Sequence, residues 1–205
     1  MVASGVDTWA TVAVAIGTVG TVVYALFRDV FVMPRRRPSL ELRFEPAGND
    51  QVVVRTAEGT EIASARLRVV NGKGKDTADD VVVMVTELRR LADSDNAVSE
   101  SRPIGVPLTW SGTNPPLTVA SVHPGSQRHI DLLHVTPSTA QLGVSPKPAG
   151  GQDVLEPGAY EISAEIRARN ADAKAYVIPV ALDGSSPDIA GVWQHLRIEP
   201  PRRDR

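Results

Sequence analysis

The chain has 205 residues and a formal net charge of −2, which supplies no basic footprint for nucleic acid. It has no cysteine, which excludes disulfides, thiolate catalysis, cysteine-based zinc sites and iron–sulfur clusters. Only 4% of residues are aromatic, but 42% are hydrophobic, enough for a core and too many for a disordered chain.

Residues 1–7, MVASGVD, carry no Lys or Arg and read as a short extracytoplasmic N-terminus. Residues 8–27, TWATVAVAIGTVGTVVYALF, carry no charge. About 20 residues at roughly 1.5 Å each span roughly 30 Å, the hydrocarbon thickness of a bilayer, so one transmembrane helix is expected. Trp9 near one end and Tyr24 and Phe27 near the other fit an aromatic belt. A cleaved signal peptide needs a basic start, a shorter apolar run and a small-residue cleavage site. Here Asp7 precedes the run, and Ala13-x-Ala15 lies inside it.

Arg28, Arg35, Arg36 and Arg37 follow the span and no basic residue precedes it. The positive side stays cytoplasmic, so the N-terminus is expected outside and the remaining chain inside. The same arginines are candidates for contact with anionic lipid. Ala13, Gly17, Thr21 and Ala25 recur every four residues and share a helix face, a candidate surface for homodimer formation. Pro34 and Pro38 are expected to stop the helix, leaving residues 28–38 as a basic juxtamembrane linker.

From residue 39 the pattern changes to period two. Leu40, Leu42 and Phe44 alternate with Glu41, Arg43 and Glu45, as in a half-buried strand. A turn at 47–50 leads to a second run at 51–55. Ala63, Ala65, Leu67 and Val69 share one face opposite Arg66 and Arg68, and NGKGK at 71–75 turns the chain. Residues 81–85 are continuously apolar, which predicts a central strand buried on both faces. Further strand candidates lie at 106–110, 117–122 and 128–135. The clearest alternation turns Tyr160, Ile162, Ala164, Ile166 and Ala168 inward and Glu161, Ser163, Glu165, Arg167 and Arg169 outward. Tyr176, Ile178, Val180 and Leu182 follow, and 193–198 is expected to close the domain. Pro179 cannot donate to a ladder, which predicts an exposed edge there. About nine short antiparallel strands make residues 39–199 an all-β sandwich or barrel. Residues 200–205 read as a basic, solvated tail.

Two motifs narrow that choice. Leu155-Glu156-Pro157-Gly158-Ala159-Tyr160, followed by an alternating strand, resembles the tyrosine corner of immunoglobulin-like folds. Residues 66–88, RLRVVNGKGKDTADDVVVMVTEL, are similar to the strand, Asn-Gly turn, strand pattern of bacterial adhesion-related immunoglobulin-like modules of the fibronectin-III-like type. The resemblance implies an immunoglobulin-like antiparallel β-sandwich over about residues 39–200, and a fold rather than an activity. Two connections, 89–105 and 136–157, exceed hairpin length; loops of that length are functional or disordered.

Chemical constellations are sparse. His129 and Asp131 share a strand face, with His134 expected on the other, which is too little for a metal site. Ser126, His129 and Asp131 carry the letters of a hydrolase triad, but one short strand cannot place the base between the other two. GKGKDT at 72–77 lacks phosphate-loop spacing, and Asp76, Asp79 and Asp80 lack the alternation of a calcium loop. The expected function is therefore a non-enzymatic, membrane-tethered interaction or scaffold module without a cofactor. It would bind an unknown protein partner through loops or strand edges on the cytoplasmic side. An extracytoplasmic surface binding or adhesion domain is the alternative, and a hydrolase or metal enzyme a distant third.

Overall fold

The computed structural model describes residues 4–46, 50–55, 59–92, 98–137, 139–184, 188–189 and 191–204. The chain divides into two compact units, Met1–Arg37 and Pro38–Arg205.

In the first unit, helix α1 runs over Ser4–Phe27. Threonine is a poor helix former in water, but here its hydroxyls fold back onto the helix: Thr18 Oγ1 donates to the Val14 carbonyl at 2.9 Å and Thr21 Oγ1 to the Gly17 carbonyl at 2.8 Å. A π-helical turn, Arg28–Val32, continues into a short helix α2, Met33–Arg36. The helix is thus not stopped at Pro34, as the sequence predicts. Pro34 lies in the first turn of α2, directly after the π turn, and the helical run continues past it despite its missing N–H. The helix ends at Arg37, whose extended ψ of 138° suits the residue before Pro38. The side chains of α1 are described at Val14 and from Ile16 onward; among the described residues no helix is long and apolar enough to cross a membrane.

The second unit is a two-sheet antiparallel β-sandwich. Its strands are β1 (Leu40–Arg43), β2 (Gln51–Arg55), β3 (Glu61–Asn71), β4 (Ala78–Leu91), β5 (Val98–Pro107), β6 (Thr109–Trp110) and β7 (Ala120–Val122). They continue with β8 (Gln127–Val135), β9 (Ala140–Leu142), β10 (Val154–Leu155), β11 (Gly158–Ala168), β12 (Ala171–Leu182), β13 (Leu196–Ile198) and β14 (Arg202–Arg203). The first sheet has the order β1-β3-β8-β9-β10, with β2 on β3 and β6 on β8. The second has the order β13-β12-β11-β4-β5, with β14 on β12 and β7 on β4.

Alternation along the central strands builds the core. Ala63, Ala65, Leu67 and Val69 of β3 and Ile130 and Leu133 of β8 are fully buried, as are Val81, Val83 and Val85 of β4 and Ile162 and Ile166 of β11. Trp110 and Leu108 fill one flank. The run at 81–85 is not fully buried on both faces: Val82 and Met84 are only half-buried, because a sandwich sheet covers only one side of each strand.

Three edges depart from the sequence reading. Residues 89–105 are mostly strand, the end of β4 and much of β5, joined through residues 93–97 outside the described set. Residues 136–157 hold β9, a 3₁₀ turn at Ala149–Gly151 and β10. At the C-terminus, Arg202 and Arg203 keep exposed side chains but form a short strand paired with Val177 and Tyr176. β13 and β14 lie along the same edge of β12, and Pro179 falls at the break between them. Its missing donor is thereby accommodated without an open edge, and the Pro179 carbonyl still accepts the Glu199 N–H at 3.0 Å.

Candidate functional site

The outer face of the first sheet carries the densest polar cluster. Strand β8 contains a bulge: Ala65 pairs with Leu133 but Arg66 with Asp131, so Leu132 is the extra residue. Directly opposed residues share a face, and β3 alternates without interruption. His129, Asp131 and His134 therefore all lie on the outer face, across from Arg68, Arg66 and Ser64. The expectation that His134 points the other way fails because the bulge resets the period.

Two nearly buried carboxylates organise this row. Asp131 Oδ1 accepts from Ser111 Oγ at 2.6 Å and from Ser64 Oγ and Arg66 Nε, both at 3.2 Å. Asp50 is fully buried; its Oδ2 accepts the Glu45 N–H at 2.7 Å and Arg68 Nε at 3.0 Å, and its Oδ1 lies 3.3 Å from His129 Nε2. Glu45 grips the same guanidinium at 2.7 Å, and this hydrogen bond first of all, with the Asp50 charge, raises the Arg68 pKa above its ordinary value. Asp50 also explains why one edge strand became two. β1 and β2 lie along the same edge of β3, and the Asp50 carbonyl accepts the Arg66 N–H at 2.7 Å where the strand is interrupted. Burial, first of all, lowers the His134 pKa; Lys147 and Arg66 act in the same direction and Asp131 opposes them. A cavity of about 250 Å³ beside His134 is walled by Gln141, Lys147, Thr109 and Pro116.

The triad letters do not converge. Ser126 Oγ donates to the His123 carbonyl at 2.7 Å, His129 faces Asp50, and Asp131 binds serines and Arg66. Among the described residues no group of three or more His, Asp or Glu is placed to hold a metal ion. Asp79 and Asp80 face Arg169 at 3.2 and 3.5 Å. Asn71 is a buried keystone: its Nδ2 donates to the carbonyls of Asp76 at 2.8 Å and Val122 at 3.0 Å, and its Oδ1 accepts the Ser39 N–H at 3.1 Å.

Gly17, Thr21 and Ala25 lie in α1 at spacings of four; the side chain of Ala13 falls outside the described set, as do Trp9's and the turn residues Ala47, Gly48 and Asn49. Arg28 lies in the π turn, Arg35 and Arg36 in α2, and Arg37 at its end. Tyr160 Oη donates to the Glu156 carbonyl at 2.9 Å, the contact expected of a tyrosine corner.

Sequence reasoning missed two features. One is a cavity of about 260 Å³ lined by Glu41, Leu42, Lys174, Tyr176, Pro201 and Arg203. No local spacing signals it, because it forms where β1 meets β12 and β14. The other is the edge of β2, unpaired on one side among the described residues, whose short apolar run QVVVR is the only signal in the sequence. No family model, no curated protein and no solved structure matches this chain.

Proposed function

We propose that the chain is a non-enzymatic, membrane-tethered interaction module, with an immunoglobulin-like sandwich on the cytoplasmic side that takes an extended protein segment on a strand edge. The observation that carries the binding part is the edge of β2. Among the described residues β2 pairs only with β3, contains no proline, and leaves Val53 and Val54 48% and 40% exposed. Edge strands are ordinarily blunted. β5 is blunted by Pro103, Pro107 and a left-handed Gly105, and the β13–β14 edge by Pro200 and Pro201. β2 has no such protection, and an edge of this kind suits strand addition.

The tether is supported by the uncharged run at 8–27 and by α1 itself. Its 24 residues reach about 36 Å at 1.5 Å each. Ile16, Val19, Val22, Val23 and Leu26 are more than half exposed, which in water would be costly. Arg28 and Arg35 to Arg37 support a cytoplasmic domain through the positive-inside bias. Gly17, Thr21 and Ala25, with Ala13, offer a surface for a second copy within the bilayer.

Strand addition is tested with the photo-crosslinking residue placed at Gln51 in the full-length protein in cells. A discrete adduct that disappears in Val53→Lys and Val54→Lys variants of unchanged melting temperature is the expected result. Adducts that persist in both variants would remove β2 as the binding edge.

A further inference from the structure

We infer that the cavity between β1, β12 and β14 is a pocket for the phosphate of anionic phospholipid headgroups, a reading that rests on the membrane tether proposed above. The cavity, about 260 Å³, opens beside the beginning of β1, the first strand after the linker. On a tethered domain only Pro38 and Ser39 separate this strand from the helical unit that ends at Arg37.

Its charge is what points to an anion. Lys174 Nζ donates to the Leu40 carbonyl at 2.8 Å. That bond fixes the amine without neutralising it, and two of the three ammonium protons remain for a ligand. Arg203 is held by backbone pairing of β14 to Tyr176, and its guanidinium has no carboxylate within ion-pair distance among the described residues. Glu41 is the one acid in the wall. Its Oε2 is gripped by Arg43 through Nε at 3.2 Å and a terminal nitrogen at 2.7 Å, so that pair is neutral as a unit. Asp204, next in the chain, interacts with Arg89. Lys174 and Arg203 thus leave a net positive pocket. Tyr176, in hydrogen-bonding contact with the Leu42 backbone, forms a floor with buried Leu42 and half-buried Pro201. A cation pair above an apolar floor suits a phosphodiester whose remaining substituents lead away into a lipid surface.

The test uses the full chain, which has no native cysteine, with a single Ala173→Cys bearing an environment-sensitive fluorophore. The protein is reconstituted into vesicles of phosphatidylcholine alone or mixed with phosphatidylserine. The expected result is an emission shift that appears only with phosphatidylserine, is screened by salt, and needs roughly fivefold more anionic lipid in Lys174→Gln or Arg203→Gln. Arg203→Gln changes an exposed cation and is expected to keep the wild-type melting temperature, so its loss of response separates the pocket from the Lys174–Leu40 hydrogen bond that Lys174→Gln also removes. Identical emission in the two lipids, or a shift that survives both substitutions, would overturn the pocket and leave the tether standing. Failure of the chain to float with phosphatidylcholine vesicles would overturn the tether instead. A response to inorganic phosphate as strong as that to phosphatidylserine would overturn the lipid assignment in favour of a free anion.

Discussion

His134 is the side chain whose chemistry most depends on burial. Desolvation lowers its pKa below the ordinary 6.5, so the folded protein holds the neutral imidazole where the unfolded chain would begin to take up a proton. Between the folded and unfolded pKa values the unfolded state binds more protons, so stability rises with pH. The contribution is complete above about pH 6.5 and is lost as pH falls through and below that value. Urea titrations of wild type and His134→Gln at pH 7.5 and 5.5 test this: the wild type should lose more stability on acidification than the variant, and equal losses would refute it. Gly143 acts through space rather than charge. Its N–H donates to the Leu132 carbonyl at 2.9 Å, and a Cβ there would sit 2.4 Å from the Asp131 carbonyl oxygen. Gly143→Ala should therefore destabilise by about 3 kcal/mol in denaturant melts. The one trace of this bulge in the sequence is the doubled Leu132-Leu133, which breaks alternation but does not say which residue is extra. His134 could not be placed without it.

At the scale of elements, alternation located the central strands well and the edges poorly. β3, β8, β11 and β12 face a core on one side and solvent on the other, so their periodicity is visible. β5 is an outer strand rich in Ser, Glu and Arg, with little burial to impose a pattern, and its residues read as loop. β14 is two arginines whose strand character comes entirely from pairing with β12. The Tyr160 contact was legible because it is local: its hydroxyl reaches back only four residues to Glu156. Tyr160→Phe should cost about 1 kcal/mol, the net worth of one hydrogen bond, in a chemical denaturation series. A change near zero would mean that the hydroxyl does not hold the corner.

For the whole molecule, class was readable and pairing was not. The neighbours in each sheet are far apart in sequence: β3 lies beside β8, and β4 beside β11. Only tertiary assembly brings together Asp50 with His129, or Lys174 with Leu40, which is why neither the outer polar row nor the β1–β12 cavity leaves a local motif. The proposed orientation is checked with Gln152→Cys, an exposed position far in sequence from the helix. Labelling by a membrane-impermeant maleimide only after cell lysis is expected. Labelling of intact cells would put the sandwich outside the cytoplasm and favour a surface-binding role.

The keystone Asn71 precedes a glycine, the sequence context in which an asparagine side chain is most readily attacked by the following backbone nitrogen and loses ammonia. Folding guards this peptide twice. The Gly72 N–H is engaged with the Ser39 carbonyl at 3.2 Å, and the departing amide nitrogen is held by two carbonyls. Unfolded chains lack both restraints and would age at this bond. The resulting carboxylate would face the carbonyls of Asp76 and Val122 with no proton to give, so aged chains should fail to refold. Asn71 would then act as a molecular clock, recording how long each copy has spent unfolded.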